Sequence, residues 1–409
     1  RRDFVRGGVA LVTIGATTNS FLKGAMAFAA GNPGAVVAQT GKTLILIQLA
    51  GGNDGLNTVV PVGDGAYHSA RPTLAVAEES VLRLSNGYGL HPNLGGLKGL
   101  WDEGKLAVVQ GVGYPNQDYS HFKSMAIWQS ADPESALHDG WLGRSLERLE
   151  SAEHDPFLGF NVGRSTPAEM RSAGITVTSV QEPEDFGFKR GGAAAPVDDP
   201  RTSTLMKLYE HYPATSPYGV LLETTIDGAM ASSSLLASAR VRYTPAVTYP
   251  ETSFGAGLSL LAEAITGGLG VRVGHITLGG FDTHSGQAAD HDELMMTLDA
   301  GLSAFQQDLE AHGKADDVLV LTWSEFGRRV QENGSGGTDH GSASVLFAMG
   351  TGVRGGLYGE PASLTGLIDR GNLAYTTDFR SVYATVLDGW LGVPASDLLG
   401  KPWPTLGFV

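Results

Sequence analysis

Five short apolar runs, each abutting a cluster of glycine and polar residues, constrain this chain more than any other feature. They span residues 43–49, 106–112, 271–278, 318–323 and 345–349. Runs of this length without polar alternation are the pattern of strands buried on both faces, as in a parallel sheet. Helical patterns lie between them. The clearest has Asp290 as N-cap with Glu293 three residues on. Its apolar residues Leu294, Leu298, Leu302, Phe305 and Leu309 step by three or four, one face of a helix. Further helices are expected over 121–128 and around 379–391. This alternation predicts an α/β fold, a mostly parallel central sheet with helices on both faces. With 409 residues and 42% hydrophobic side chains, the chain can fill the core of one large domain. The middle, 146–251, is less regular and is read as an insertion or cap. It holds a loop at 191–196 and helical stretches at 203–212 and 221–241.

In such sheets ligands gather at the carboxyl ends of the strands. The first run leads into Gly51-Gly52-Asn53-Asp54 and the second into Asp118-Tyr119-Ser120-His121. The third leads into Asp282-Thr283-His284 and the fourth into Ser324-Glu325-Phe326-Gly327-Arg328. For the fifth, the polar cluster Asp339-His340-Gly341 comes before the run. Asp54, Asp282 and Glu325 at one rim would repel, and one would have to stay protonated unless a cation intervened. His284, His291 and His340 can add nitrogen ligands. A mixed oxygen and imidazole set suits zinc, manganese or calcium. The chain has no cysteine, which excludes thiolate ligands, disulfides and cysteine catalysis. His291, at a helix start, is expected to be exposed. His68, His138, His154, His211, His275 and His312 have no supporting neighbours and are given ordinary surface or core roles.

Ser120 falls between a strand and a helix N-terminus, whose dipole and unpaired N–H groups favour an attacking alkoxide and an incoming anion. The alternative for Ser120 is a plain N-cap. Asn53 and Arg328 are candidates for substrate contact, since a guanidinium matches phosphate or sulfate in a bidentate way. Arg329 is assigned to a surface salt bridge. His121 could assist proton transfer. P-loop, His-Glu-x-x-His and Gly-x-Ser-x-Gly patterns are absent from the sequence, which removes support for nucleotide hydrolysis, zincin proteolysis and α/β-hydrolase chemistry. A formal charge of -15 opposes general nucleic-acid binding.

The amino terminus reads as a separate element. Arg1-Arg2 precedes an apolar stretch at 8–16 and another at 24–30, ending in small residues. Residues 1–30 are therefore expected to be a twin-arginine export signal, with 31–409 as the folded domain. The alternative is an ordinary first helix. The stretch is too polar for a stable membrane span. Export in the folded state suits a protein loaded with metal before it leaves the cytoplasm, so the twin-arginine machinery is an expected partner. The expected location is periplasmic or secreted.

These motifs, together with Asp378-Phe379-Arg380-Ser381-Val382-Tyr383, resemble the bacterial domain-of-unknown-function family numbered 1501. That family is in turn similar to the alkaline phosphatase and sulfatase superfamily. The resemblance implies two metal subsites with a nucleophile between them. Asp54 and Glu325 would hold one ion, Asp282, His284 and His340 the other, and Ser120 would attack. Two departures stand out. Phe326 occupies a position where the superfamily usually has a ligand, and Gly286 stands where its second subsite usually has a histidine. The expected function is hydrolysis of a small anionic phosphate or sulfate ester, or of a glycan ester. The alternative is a binding protein on the same fold with one metal or none.

Overall fold

The computed structural model of the chain describes residues 41–134, 139–150, 155–181, 189–190, 193–194, 204, 235–369 and 371–409. The expected export signal, most of the 191–196 loop, the stretch at 203–212 apart from 204, and the stretch at 221–241 apart from 235–241 lie outside these residues. In chain order the strands are Thr43–Ala50 (β1), Val59–Pro61 (β2), Leu82–Arg83 (β3), Tyr88–Leu90 (β4), Leu106–Gly113 (β5), Gly159–Val162 (β6) and Val177–Val180 (β7). They continue with Lys189–Arg190 (β8), Ala193–Ala194 (β9), Val273–Gly279 (β10), Val318–Trp323 (β11), Ser344–Met349 (β12), Gly356–Tyr358 (β13) and Thr377–Asp378 (β14). Eight of them form the order β13-β5-β12-β11-β1-β10-β6-β7, and β14 pairs with β5.

All five apolar runs are strands of this sheet, within two residues of their expected bounds. One differs in direction. β1 pairs in parallel with both β10 and β11, whereas β12 runs antiparallel to β11 and to β5. Reversal explains why the polar cluster precedes this run. The amino end of β12 meets the same sheet edge as the carboxyl ends of β1, β5, β10 and β11. Part of the irregular middle is also sheet, because β6 and β7 extend it in parallel beyond β10.

Alternation along β1 divides the core into two halves. Ile45, Ile47 and Leu49 pack with Leu258, Leu298, Leu302 and Phe305, which come from helices Ser253–Thr266 and Gln287–Ala311. Leu44 and Leu46 pack on the other face with Trp128, Trp141, Phe379 and Tyr383. Those residues belong to helices His121–Ser130, Trp141–Leu149 and Phe379–Val386. Each fully buried aliphatic side chain contributes about 1.5–3 kcal/mol. Helices therefore cover both faces, and only the strand ends remain for polar chemistry. The long helix starts at Gln287 behind Gly286, three residues before the expected cap, so Asp290 lies inside its first turn.

Candidate metal centre

The turn after β1 is built from glycine. Gly51 and Gly52 have φ of 122° and 83°, the region that only glycine adopts without strain. A Cβ on Gly51 would meet the backbone nitrogen of Asp282, and one on Gly52 would meet the Phe326 ring. This close approach brings the ends of β1, β10 and β11 together. The Gly51 N–H donates to Glu325 Oε1 at 2.9 Å, and the Gly52 carbonyl accepts from Arg328 Nε at 2.7 Å.

Three imidazoles surround Asp282 at this edge. His121, the first residue of its helix, has Nδ1 2.7 Å from Glu325 Oε1 and Nε2 3.4 Å from Asp282 Oδ2. His340 has Nδ1 2.8 Å from the Tyr119 carbonyl oxygen and Nε2 3.2 Å from Asp282 Oδ1. His284 has Nδ1 3.5 Å from Asp339 Oδ1 and Nε2 3.2 Å from Asp282 Oδ1. The Nε2 atoms of His284 and His340 are 2.9 Å apart. A carbonyl oxygen can only accept, so His340 Nδ1 carries the proton and Nε2 keeps its lone pair. Each of the three rings thus turns Nδ1 to an oxygen and Nε2 to Asp282.

Asp282 is kept ionised. Partial burial raises its pKa, but the hydrogen bond and charge of Arg328 oppose that, and it lies at about 2. Burial, aided by Arg328, lowers the pKa of His340, which favours the neutral ring that a metal requires. Ligand atoms about 2.0–2.1 Å from one tetrahedral ion lie roughly 3.3 Å apart, and the spacings around Asp282 match this. His121, Asp282 and His340 form the group among the described residues whose ligand atoms are mutually close enough to share an ion, with His284 against its edge. Two imidazoles and one carboxylate, with a third imidazole beside them, are a donor set of the kind zinc or manganese takes. They do not fit calcium, which takes six to eight oxygens. The Glu325 carboxylate, the Tyr119 carbonyl and Asp339 behind the rings fix their orientation, as outer partners do for histidines at metal sites.

The other candidates are placed differently. Asp54 is buried, caps the helix Gly55–Thr58 and lies 2.6 Å from Arg71 Nη1. Burial raises its pKa, but Arg71 more than offsets this and the net shift is downward. It is therefore an ion-paired cap and does not face the imidazoles. Glu325 is buried behind His121 and supports that ring. His121, expected as a proton shuttle, has its nitrogens on Glu325 and Asp282. Asn53 points inward, with Oδ1 accepting from Thr58 Oγ1 at 3.0 Å. Arg328 is buried and donates to four backbone carbonyls, those of Gly51, Gly52, Phe281 and Thr338, and to Asp282. It cannot also clamp a substrate, and its role is to position Asp282. Arg329 pairs with Asp339 at 3.2 Å, as expected. Ser120 is the N-cap of the His121–Ser130 helix, but its side chain makes no capping bond.

His291 is buried against Asn53 and Thr58, contrary to the expected exposure, because the helix starts earlier and this position faces inward. Burial depresses its pKa to about 4. His275 has a core role, 2.9 Å from Asn161 and 3.0 Å from Glu169. Sequence reasoning missed Arg71, Gln287 and the support given by Asp339. Arg71 and Gln287 sit in no recognisable motif. Asp339 was signalled by its place beside His340. Phe326 is buried under the site, its ring centroid 4.9 Å from His121 and 4.6 Å from His340.

Residues 107–390 match the family described as Protein of unknown function (DUF1501). The chain belongs to that family. No curated protein matches the sequence. Among solved structures, the PsFucS1 sulfatase from Pseudoalteromonas sp. is similar at 10% identity and a TM-score of 0.38, covering 94% of this chain and 72% of that one. The phosphonate monoester hydrolase of Agrobacterium radiobacter aligns at 11% identity and a TM-score of 0.37, covering 88% and 78%. A protein in the alkaline phosphatase superfamily from Vibrio parahaemolyticus aligns at 9% identity and a TM-score of 0.35, covering 96% and 80%.

Proposed function

We propose that this DUF1501 protein is an exported, metal-dependent hydrolase of phosphate or sulfate esters. In this reading His121, Asp282 and His340 hold a divalent ion, zinc or manganese, with His284 beside them. The observation that carries it is the shared orientation of the three imidazoles, each with Nδ1 on an oxygen and Nε2 toward Asp282. Without a cation, unprotonated nitrogens would face a carboxylate, an arrangement that repels.

Bound there, the ion would supply Lewis acidity toward the ester oxygens and the attacking hydroxyl. Ser120 Oγ is the nucleophile. Its hydroxyl proton passes to water as its oxygen bonds to phosphorus or sulfur, and the departing ester oxygen takes a proton back from that water. A second water then cleaves the seryl ester, releasing the inorganic anion and restoring the hydroxyl. The Ser120 side chain is not used as a cap, and the helix N–H groups beside it favour an anion. Arg328 fixes the charged Asp282, Glu325 fixes His121, and Tyr119 fixes His340. A screen of phosphate and sulfate esters with metal-loaded protein tests the proposal, with Ser120→Ala as the control. Turnover by wild type and background rates for the variant are expected. Equal rates for the two would refute the nucleophile.

One observation favours a second reading. Arg328 and Arg329 are committed to carbonyls and carboxylates, and Phe326 floors the site. A binding protein with a metal but no anion clamp would show a melting temperature raised by an anion or glycan, with no product after long incubation. Export rests on Arg1-Arg2 and the apolar stretch that follows. Among the described residues no helix is long and apolar enough to cross a membrane. Fractionation of cells carrying the Arg1→Lys, Arg2→Lys double variant tests export, with retention in the cytoplasm as the expected result.

A further inference from the structure

We infer that the centre takes one divalent ion, and that the Arg71 guanidinium stands at Asp54 where the superfamily resemblance implies a second. This rests on the metal-centre reading above and concerns its stoichiometry. The two residues assigned to the other subsite, Asp54 and Glu325, do not fit a cation. Asp54 Oδ2 accepts from Arg71 Nη1 at 2.6 Å and from Gln287 Nε2. Asp54 Oδ1 accepts from the N–H groups of Leu56 and Asn57 at 3.2 and 3.4 Å. Four donors saturate the two oxygens of a carboxylate, and Asp54 is buried.

Arg71 is equally fixed. It is buried, with Nε on the Val330 carbonyl at 2.9 Å, Nη2 on the Arg329 carbonyl at 2.9 Å, and Nη1 shared between Asp54 and Asn57 Oδ1 at 2.6 Å. A guanidinium held on both sides by backbone carbonyls cannot swing away to admit an ion. It also repels one, because a dication at Asp54 would sit beside a permanent positive charge in a low-dielectric interior. Glu325 offers no alternative. Its Oε1 is taken by the Gly51 N–H and His121, and its Oε2 faces Ser324 Oγ at 3.4 Å. The charge of Asp54 is thus neutralised by a covalently attached cation, and the exchangeable ion is confined to the Asp282 cluster.

Stoichiometry tests this without any assay of turnover. The full chain is loaded with zinc or manganese, freed of excess and analysed for bound metal per mole of protein. One ion per chain is expected, lost in His340→Ala and retained in the double variant Asp54→Asn, Arg71→Met, which removes both buried charges together so that neither is left unpaired. Two ions in wild type, with one missing from the double variant, would overturn the inference while leaving the metal centre intact. No bound ion in wild type would refute the metal centre itself and this inference with it. The wild-type count stands whether or not either variant folds.

Discussion

His340 shows how much a single side chain is determined by its second nitrogen. Donating Nδ1–H to the Tyr119 carbonyl leaves Nε2 as an acceptor facing Asp282. Glu325 does the same for His121. Glu325→Gln keeps the shape but weakens this support, and the ion affinity is expected to fall roughly 10- to 100-fold. Competition against a chelator of known affinity measures it, and an unchanged affinity would show that Glu325 does not act through His121. His291 offers a separate test away from the proposed ligands. Its pKa in the fold is about 4, lowered by burial, against about 6.5 when unfolded. Protons therefore bind the unfolded chain first, so the contribution is complete above about pH 6.5 and is lost as pH falls toward about 4. The loss is on the order of 3 kcal/mol. Melting of chelated protein should show this acid slope, and His291→Gln should flatten it. Asp282, His284, Glu325 and His340 were legible because each lies in a polar cluster next to an apolar run. Asp54, Asn53 and Arg328 lie in the same clusters but turn inward. Their partners, Arg71, Thr58 and a set of backbone carbonyls, leave no pattern in sequence.

Elements were easier to read than side chains, because burial on both faces demands uninterrupted apolar runs. β11 matches its expected bounds, and β1 extends one residue beyond. The direction of β12 was not legible from its own residues. The position of its polar cluster, ahead of the strand, was the only trace of the reversal. Asp290 and Glu293 form a plausible capping pair, whereas Gly286 at φ 59° makes the turn four residues earlier. That shift moves Gln287 into contact with Asp54 and Thr338 and turns His291 inward. The glycine turn after β1 gives the sharpest test at this scale. Gly52→Ala would drive a methyl group into the Phe326 ring, which packs under His121 and His340. Overpacking and a strained φ together should cost about 1–3 kcal/mol. The ion affinity should fall as well. A variant that melts lower but binds the ion unchanged would separate Phe326 from the site.

At the scale of the whole molecule, one edge of the sheet gathers five segments far apart in sequence, and the proposed ion would tie together those that carry His121, Asp282 and His340. Binding to the folded state alone stabilises it by about 2.7 kcal/mol when free ion is a hundred times the dissociation constant. Chelation should therefore lower the melting temperature by several degrees, and Asp282→Asn or His340→Ala should add little once the ion is gone. A melting curve that ignores chelator after elemental analysis confirms ion removal would contradict this coupling. The most direct measurement is anomalous diffraction from crystals of the metal-loaded chain, collected on both sides of the zinc or manganese absorption edge. A single anomalous peak is expected, bonded to Nε2 of His121 and His340 and to Asp282, with His284 beside it and no peak at Asp54. A peak placed elsewhere, or none in protein shown to contain the metal, would contradict the proposed centre.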